Sequence, residues 1–309
     1  MNDLEIALKI DVDTHQGLEV GVPRLARMLA AEGVAASFFI AMGPDNSGRA
    51  VVRVLRNPGF LKKMRRTRAV RMYGLRTVLS GTLLPARPIA LALPGVVRGL
   101  KRAGFEVGVH GWDHVRWQDG IDKLGEAGIR AELGEAFEAY RAIFRQRARS
   151  FAAPGWRTNA LALQVLDSME LSYRSDTRGR TPFRCRVGGQ VLDTPEIPTT
   201  LPTLDEVMGR ADLPNAAAVL EFYLTQFNAG RLNVHTVHAE TEGMAELEGF
   251  TCLVRALKDR GARFVRLDEA AAGLNGAELP VCEVVRATLP GRAGWVAAQG
   301  PDAASASTE

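Results

Sequence analysis

The chain has little with which to cross-link itself. Its three cysteines, Cys185, Cys252 and Cys282, are odd in number and lack metal-site spacing. That argues against a disulfide framework, and a reducing compartment is the simpler expectation. Long hydrophobic runs are missing too: no stretch approaches the roughly 18 uncharged apolar residues of a membrane-spanning helix. The N-terminus carries Asp3 and Glu5 and has neither the basic nor the apolar region of a secretion signal. The expectation is a cytoplasmic protein, soluble or peripheral to a membrane. Acid is missing from one block. From Asn46 through Phe105 there is no Asp or Glu, but there are 14 Lys and Arg. The remainder holds 25 basic and 35 acidic residues, a net of −10, under a whole-chain charge of +4. One surface should therefore be strongly positive and seek phosphates, whether in nucleic acid, a phosphorylated substrate or anionic headgroups.

What is present reads as strand and helix in alternation. The expected strands are Leu4–Asp11, Ala36–Ala41, Phe105–Val109, Ser150–Ala153, Leu171–Arg174, Leu232–Val237 and Ala262–Arg266. Between them helices are expected at Val22–Glu32, Pro94–Ala103, Leu124–Gln146, Asn159–Ser168, Asn215–Asn228 and Gly243–Arg260, with a last one at Asp268–Leu274. Repeated βα units predict an α/β fold with a parallel sheet, closed or partly closed into a barrel. Thr181–Leu204 is rich in proline and is expected as loops with edge strands. Residues 1–275 are expected as one domain, interrupted by a basic amphipathic insertion at 44–93. Residues 276–309 are expected as an extension whose tail, past about Pro290, is disordered. Within the insertion Lys62, Lys63, Arg65 and Arg66 are followed by interleaved apolar residues, a pattern suited to a helix lying on headgroups or to a solvated helix on the barrel edge.

Two motifs carry chemistry. Asp11-Val12-Asp13 ends the first strand, and His110-Gly111-Trp112-Asp113-His114 follows the third. In a parallel α/β sheet both lie at the mouth where such folds place their sites. One Asp and two His can hold a hard divalent cation, with the other Asp left as a base. The alternative for the acids is that one caps a turn or the following helix. Trp112 can wall the site, while Asp113 faces away on a helical turn. In Leu232–Glu240, His238 lies at the working end of its strand and is a candidate general acid, with Asp176 as a candidate orienter. His235 alternates to the other face and is read as structural.

The chain resembles the polysaccharide deacetylases, metal-dependent amide hydrolases on a distorted (β/α) barrel. The likeness spans about residues 4 to 272. It rests on Ile10–Thr14, on His110–His114 with Trp117-Gln118, and on Ala153-Pro154-Gly155-Trp156-Arg157. Ser175–Gly179, Ile197–Pro202 and His238-Ala239-Glu240 complete it, all in family order. Within the family these residues look most like a bacterial branch that deformylates a formamido sugar carried on polyprenyl phosphate, for lipid A modification. The resemblance implies that Asp11 is the general base, that Asp13, His110 and His114 hold one divalent metal (zinc, cobalt, manganese or nickel), and that His238 is the general acid. It also implies a lipid-linked amino-sugar substrate, with Trp112 and Trp156 beside it. Lys62, Lys63, Arg65 and Arg66 would then dock the protein on the anionic cytoplasmic leaflet, with no nucleic acid involved. The family usually carries a base-orienting Arg just before the strand-four proline. Ala152 and Ala153 stand there instead, so Arg157 is the candidate replacement, or the role is absent. Two other readings are a hydrolase of a soluble N-acyl sugar or ureide, and a non-catalytic phosphate- or nucleic-acid-binding protein.

Overall fold

The strand β1 (Glu5–Val12) is buried along all but its first residue, the mark of a strand covered on both faces. The computed structural model describes residues 4–49, 80–82 and 84–302. In it β1 lies between β2 (Ser37–Ile40) and β8 (Leu232–His238), parallel to both. Parallel pairing then runs from β2 to β3 (Glu106–Val109), β4 (Ser150–Phe151) and β5 (Tyr173–Arg174). Each crossover before β4 is a helix: α1 (Val22–Glu32), α2 (Pro94–Arg102), and then α3 (His114–Gly120) with α4 (Glu126–Phe144). Helix α5 (Ala160–Asp167) links β4 to β5.

Closure comes from a short extended segment. Ile197 and Thr199 donate backbone N–H to Arg174 and Thr177, while the N–H of Thr200 donates to Val234 on β8. Residues 197–200 therefore stand as a stave between β5 and β8, and the sheet closes into the distorted barrel expected from the sequence. The short strand β9 (Arg263–Val265) pairs with the first half of β1 and leads into a final helix, Leu267–Ala272.

The proline-rich stretch holds an antiparallel hairpin, β6 (Phe183–Val187) and β7 (Gln190–Glu196). The disordered tail expected from about Pro290 is corrected. Strand β10 (Val281–Thr288) pairs with β6 and turns into β11 (Trp295–Asp302). The small residues of this segment form strand and tight turn; Cys282, Val296 and Ala297 are buried, Cys282 against the hairpin beneath. Only residues 303–309 of the tail lie outside the described residues, as do Lys62, Lys63, Arg65 and Arg66 of the insertion. The two ends of the insertion meet at the barrel mouth. Gly48 N–H donates to Ser80, and Asn46 Nδ2 donates to Asp113 Oδ2 at 2.6 Å.

Candidate active site

Strand alternation puts Lys9, Asp11 and Asp13 on one side of β1, with Asp13 one step beyond its end. The register of β8 sets His238 level with Asp11. The loop after β1 is fixed by Glu240, just past the end of the neighbouring strand β8. Its Oε1 accepts the N–H of Asp13, the N–H of Thr14 and the hydroxyl of Thr14, each at 2.9 Å. Glycine is required at 17, because a Cβ there would stand 2.0 Å from that oxygen.

His110 follows β3. Its Nδ1 is 2.8 Å from the carbonyl oxygen of Ala152. A carbonyl only accepts, so Nδ1 carries the proton and Nε2 presents its lone pair to the site. His114 opens α3, whose N-cap is Asp113; its carboxylate accepts the N–H of Arg116, so Asp113 is a capping residue. Nε2 of His110 and Nε2 of His114 lie 3.3 and 3.5 Å from the two oxygens of Asp13. These donor atoms all lie within 4.8 Å of one another. His110 Nε2 and Asp13 Oδ1 are buried without a hydrogen-bond partner. Two imidazole lone pairs and a carboxylate, otherwise unsatisfied, fit a divalent cation with open positions for water and substrate. Burial works against an ionised Asp13, yet His114, His110 and His238 hold its carboxyl well below the usual range. Burial pushes His114 down, against the pull of Asp13.

Asp11 is buried beside this cluster. Its Oδ2 lies 4.0 Å from His110 Nε2 and 3.2 Å from Lys9 Nζ. Lys9 is fully buried, with its ammonium 5.1 Å from the ring centre of Trp156 and 5.8 Å from that of Phe39. The cation beside the candidate base is therefore Lys9, from the same strand. Arg157 lies elsewhere, its guanidinium 4.1 Å over the ring of Trp295. Sequence reasoning missed Lys9, although a lysine inside an apolar run and in phase with two acids is a signal that it has a buried partner.

Asp176 is also corrected as the partner of His238. It is fully buried among Glu196, Arg174 and Lys9, and neither oxygen is hydrogen-bonded to His238. Burial, and then Glu196, raise its carboxyl well above the usual range. The carboxylates that bear on His238 are Asp13, Asp205, Glu242 and Asp11. Burial alone would lower this imidazole, but together they push it up to about 9. Its backbone N–H donates to Glu242 Oε2 at 3.0 Å. His235, on the other face, packs its ring against Tyr223 and Phe227, as a structural residue would.

Trp112 is half-buried, and its carbonyl accepts the N–H of Gly43. Trp156 is buried, edge-on to His238 with ring centres 6.3 Å apart, and its indole N–H donates to Thr199 at 3.0 Å.

Residues 5–174 match the family model for polysaccharide deacetylase. The chain belongs to the polysaccharide deacetylase family. One curated relative, the probable 4-deoxy-4-formamido-L-arabinose-phosphoundecaprenol deformylase ArnD of Shewanella sediminis, is 34% identical over 96% of this chain and 95% of its own. The protein of the same description from Wigglesworthia glossinidia brevipalpis is 32% identical over 92% of this chain and 98% of its own. A crystal structure of this group from Mycobacterium smegmatis superposes with a TM-score of 0.63 at 18% identity, covering 93% of this chain and 96% of that one. It shows the shared barrel.

Proposed function

We propose that this polysaccharide deacetylase family member removes the N-formyl group of 4-deoxy-4-formamido-L-arabinose phosphoundecaprenol, giving formate and the 4-amino sugar lipid. The observation that carries the hydrolytic reading is the Asp13–His110–His114 cluster, with Asp11 beside it and His238 level with Asp11 on the neighbouring strand. The substrate follows from the full-length likeness to two deformylases.

Asp13, His110 and His114 would hold a divalent cation, which supplies Lewis acidity toward water and the formyl oxygen. Asp11 takes a proton from water as its oxygen bonds to the formyl carbon. Lys9, its ammonium 3.2 Å from Asp11 Oδ2, aims that carboxylate. His238 gives its proton to the departing nitrogen as the carbon–nitrogen bond breaks, so a neutral amide becomes formate and an amine. Protonation of that amine puts a positive charge on the sugar, the change used in lipid A modification and resistance to cationic peptides such as polymyxin.

A polyprenyl-phosphate substrate resides in a bilayer. No helix among the described residues is long and apolar enough to cross one. The acid-free block from Asn46 to Phe105 supplies the charge for peripheral docking on an anionic cytoplasmic leaflet. The deciding experiment measures formate release from the formamido-arabinose lipid by metal-reconstituted protein, with Asp11→Asn as the control. Release from wild type, with Asp11→Asn lower by about 100-fold or more, supports the assignment. No release from the lipid would refute it.

A further inference from the structure

We infer that Arg178 and Arg292 form the subsite for the phosphodiester that links the sugar to its carrier. This deepens the deformylase reading and rests on it. Arg178 lies in the loop after β5, and Arg292 sits at the turn between β10 and β11. Their guanidinium carbons stand 4.9 and 4.5 Å from the ring centre of Trp156. The ring of His238 meets the same indole edge-on. His238 and both guanidiniums thus contact one indole ring. A pyranose bearing a 4-formamido group and an anomeric phosphate carries its two functional groups one ring apart, a span suited to such a cluster.

The two guanidiniums meet at one acid. Arg178 Nη1 and Arg292 Nη1 share one carboxylate oxygen, Glu206 Oε1, at 2.7 and 3.5 Å. The other oxygen of Glu206 accepts the N–H of Thr203. Lys9, the third cation against the indole, is matched by Asp11. Two guanidiniums, 11% and 12% exposed, share the Glu206 carboxylate.

The remaining contacts fix the pair in place. Arg178 Nη2 donates to the Leu201 carbonyl at 2.8 Å, and Arg292 Nη2 to that of Gly155 at 3.2 Å. Gly291 turns the hairpin at a φ of 79° against the backbone of Glu206, where a Cβ would come 2.1 Å from the carbonyl oxygen. These bonds occupy only part of two five-donor forks, whose planar geometry suits phosphate oxygens.

The test compares two product-like ligands by calorimetry on the metal-loaded full chain: 4-amino-4-deoxy-L-arabinose 1-(butyl phosphate) and its neutral methyl glycoside. Wild type should bind the phosphodiester at least about tenfold tighter, since a charge-assisted contact is worth a factor of about 10 to 100. Arg292→Gln and Arg178→Gln should each collapse that ratio, and Arg292→Lys should keep part of it. Arg286→Gln, on the same hairpin over Trp295, should leave the ratio intact. Inorganic phosphate should compete weakly in wild type, because it lacks the sugar. A wild-type ratio near one overturns the subsite. So does an Arg292→Gln variant that weakens both ligands by the same factor, because the hairpin would then only be loosened. Formate release from the lipid with a ratio near one defeats the subsite alone. An Arg292-dependent ratio without formate release defeats the deformylase reading and leaves the subsite standing.

Discussion

Replacing Lys9 by Met tests the internal wiring of the site most sharply. The side chain keeps its length and apolar contacts but loses its ammonium, 3.2 Å from Asp11 Oδ2. Both groups are almost wholly removed from water, so solvent screening is slight. At that separation and an effective dielectric of about 20, the attraction is about 5 kcal/mol. Removing one partner of a buried pair costs about 3–5 kcal/mol, because the other charge is left uncompensated. Lys9→Met should therefore lower the unfolding free energy by about that amount. Lys9→Met/Asp11→Asn should recover most of it, since two neutral groups then face each other. A double-mutant cycle by denaturant unfolding should give a coupling of about 2 kcal/mol or more. Turnover should fall by at least tenfold in Lys9→Met, bounded by the roughly 10²–10⁴-fold that general-base catalysis supplies, with kcat affected more than KM. Lys9→Arg should restore part of it. If the two single changes were additive within about 0.5 kcal/mol, Lys9 would be a packed lysine without a role at the base.

Three further outcomes follow from particular contacts. Gly17→Ala should displace Glu240, shift Asp13, and weaken metal affinity about 10- to 100-fold by equilibrium dialysis against a chelator series, while Ala substituted for exposed Gly249 should not. Burial and then Asp268 raise the Glu106 carboxyl above its ordinary 4.5, despite hydrogen bonds from Ser37, Tyr173 and Ser150. A raised acid holds its proton in the fold after the unfolded chain has lost it, so stability should fall as pH rises from 4.5 through the folded value. Glu106→Gln should flatten that slope in denaturant melts, and an unchanged slope would assign it to other groups. Replacing Lys62, Lys63, Arg65 and Arg66 by Gln should cut sedimentation with anionic vesicles while sparing hydrolysis of a soluble formamido sugar; unaltered sedimentation would remove the docking role.

The parts of the fold that repeat were legible in the sequence, and so were the residues that share a motif. Alternation at Asp11 and Asp13, and the four-residue spacing of His110 and His114, gave the cluster because both periods are set by local backbone geometry. Pairings set by tertiary closure were not legible. The stave at 197–200 carries Pro198 and no strand pattern, yet its hydrogen bonds to Arg174, Thr177 and Val234 close the barrel. The β10–β11 hairpin was hidden by composition, since Gly, Ala and Pro serve a tight turn as well as a loose tail. Asp176 was a candidate partner of His238 from its place just past a short strand. Its true neighbours, Glu196 and Arg174, reach it through the parallel pairing of β5 with β7, which no local period announces.

Lys9 brings a cation to the candidate base from that base's own strand. The resemblance to the family implies an Arg just before the strand-four proline, where Ala152 and Ala153 stand. The Ala152 carbonyl still orients His110, so the backbone of that strand keeps its task while its side chain gives up another. A cation two residues upstream of the base on one strand needs no loop to position it, because alternation alone aims both side chains to the same side. Lysine also suits the space: its single ammonium sits between the rings of Trp156 and Phe39, while Trp156 carries Arg178 and Arg292 as well. The indole thus contacts Lys9 beside the candidate base, the candidate proton donor His238 and the proposed phosphate subsite. Trp156→Phe keeps a π-face but drops the bond to Thr199, and its smaller ring offers less surface to three cations. It should therefore lower both the kcat set by Lys9 and the phosphodiester preference set by the arginines, whereas a change at either partner alone should lower one.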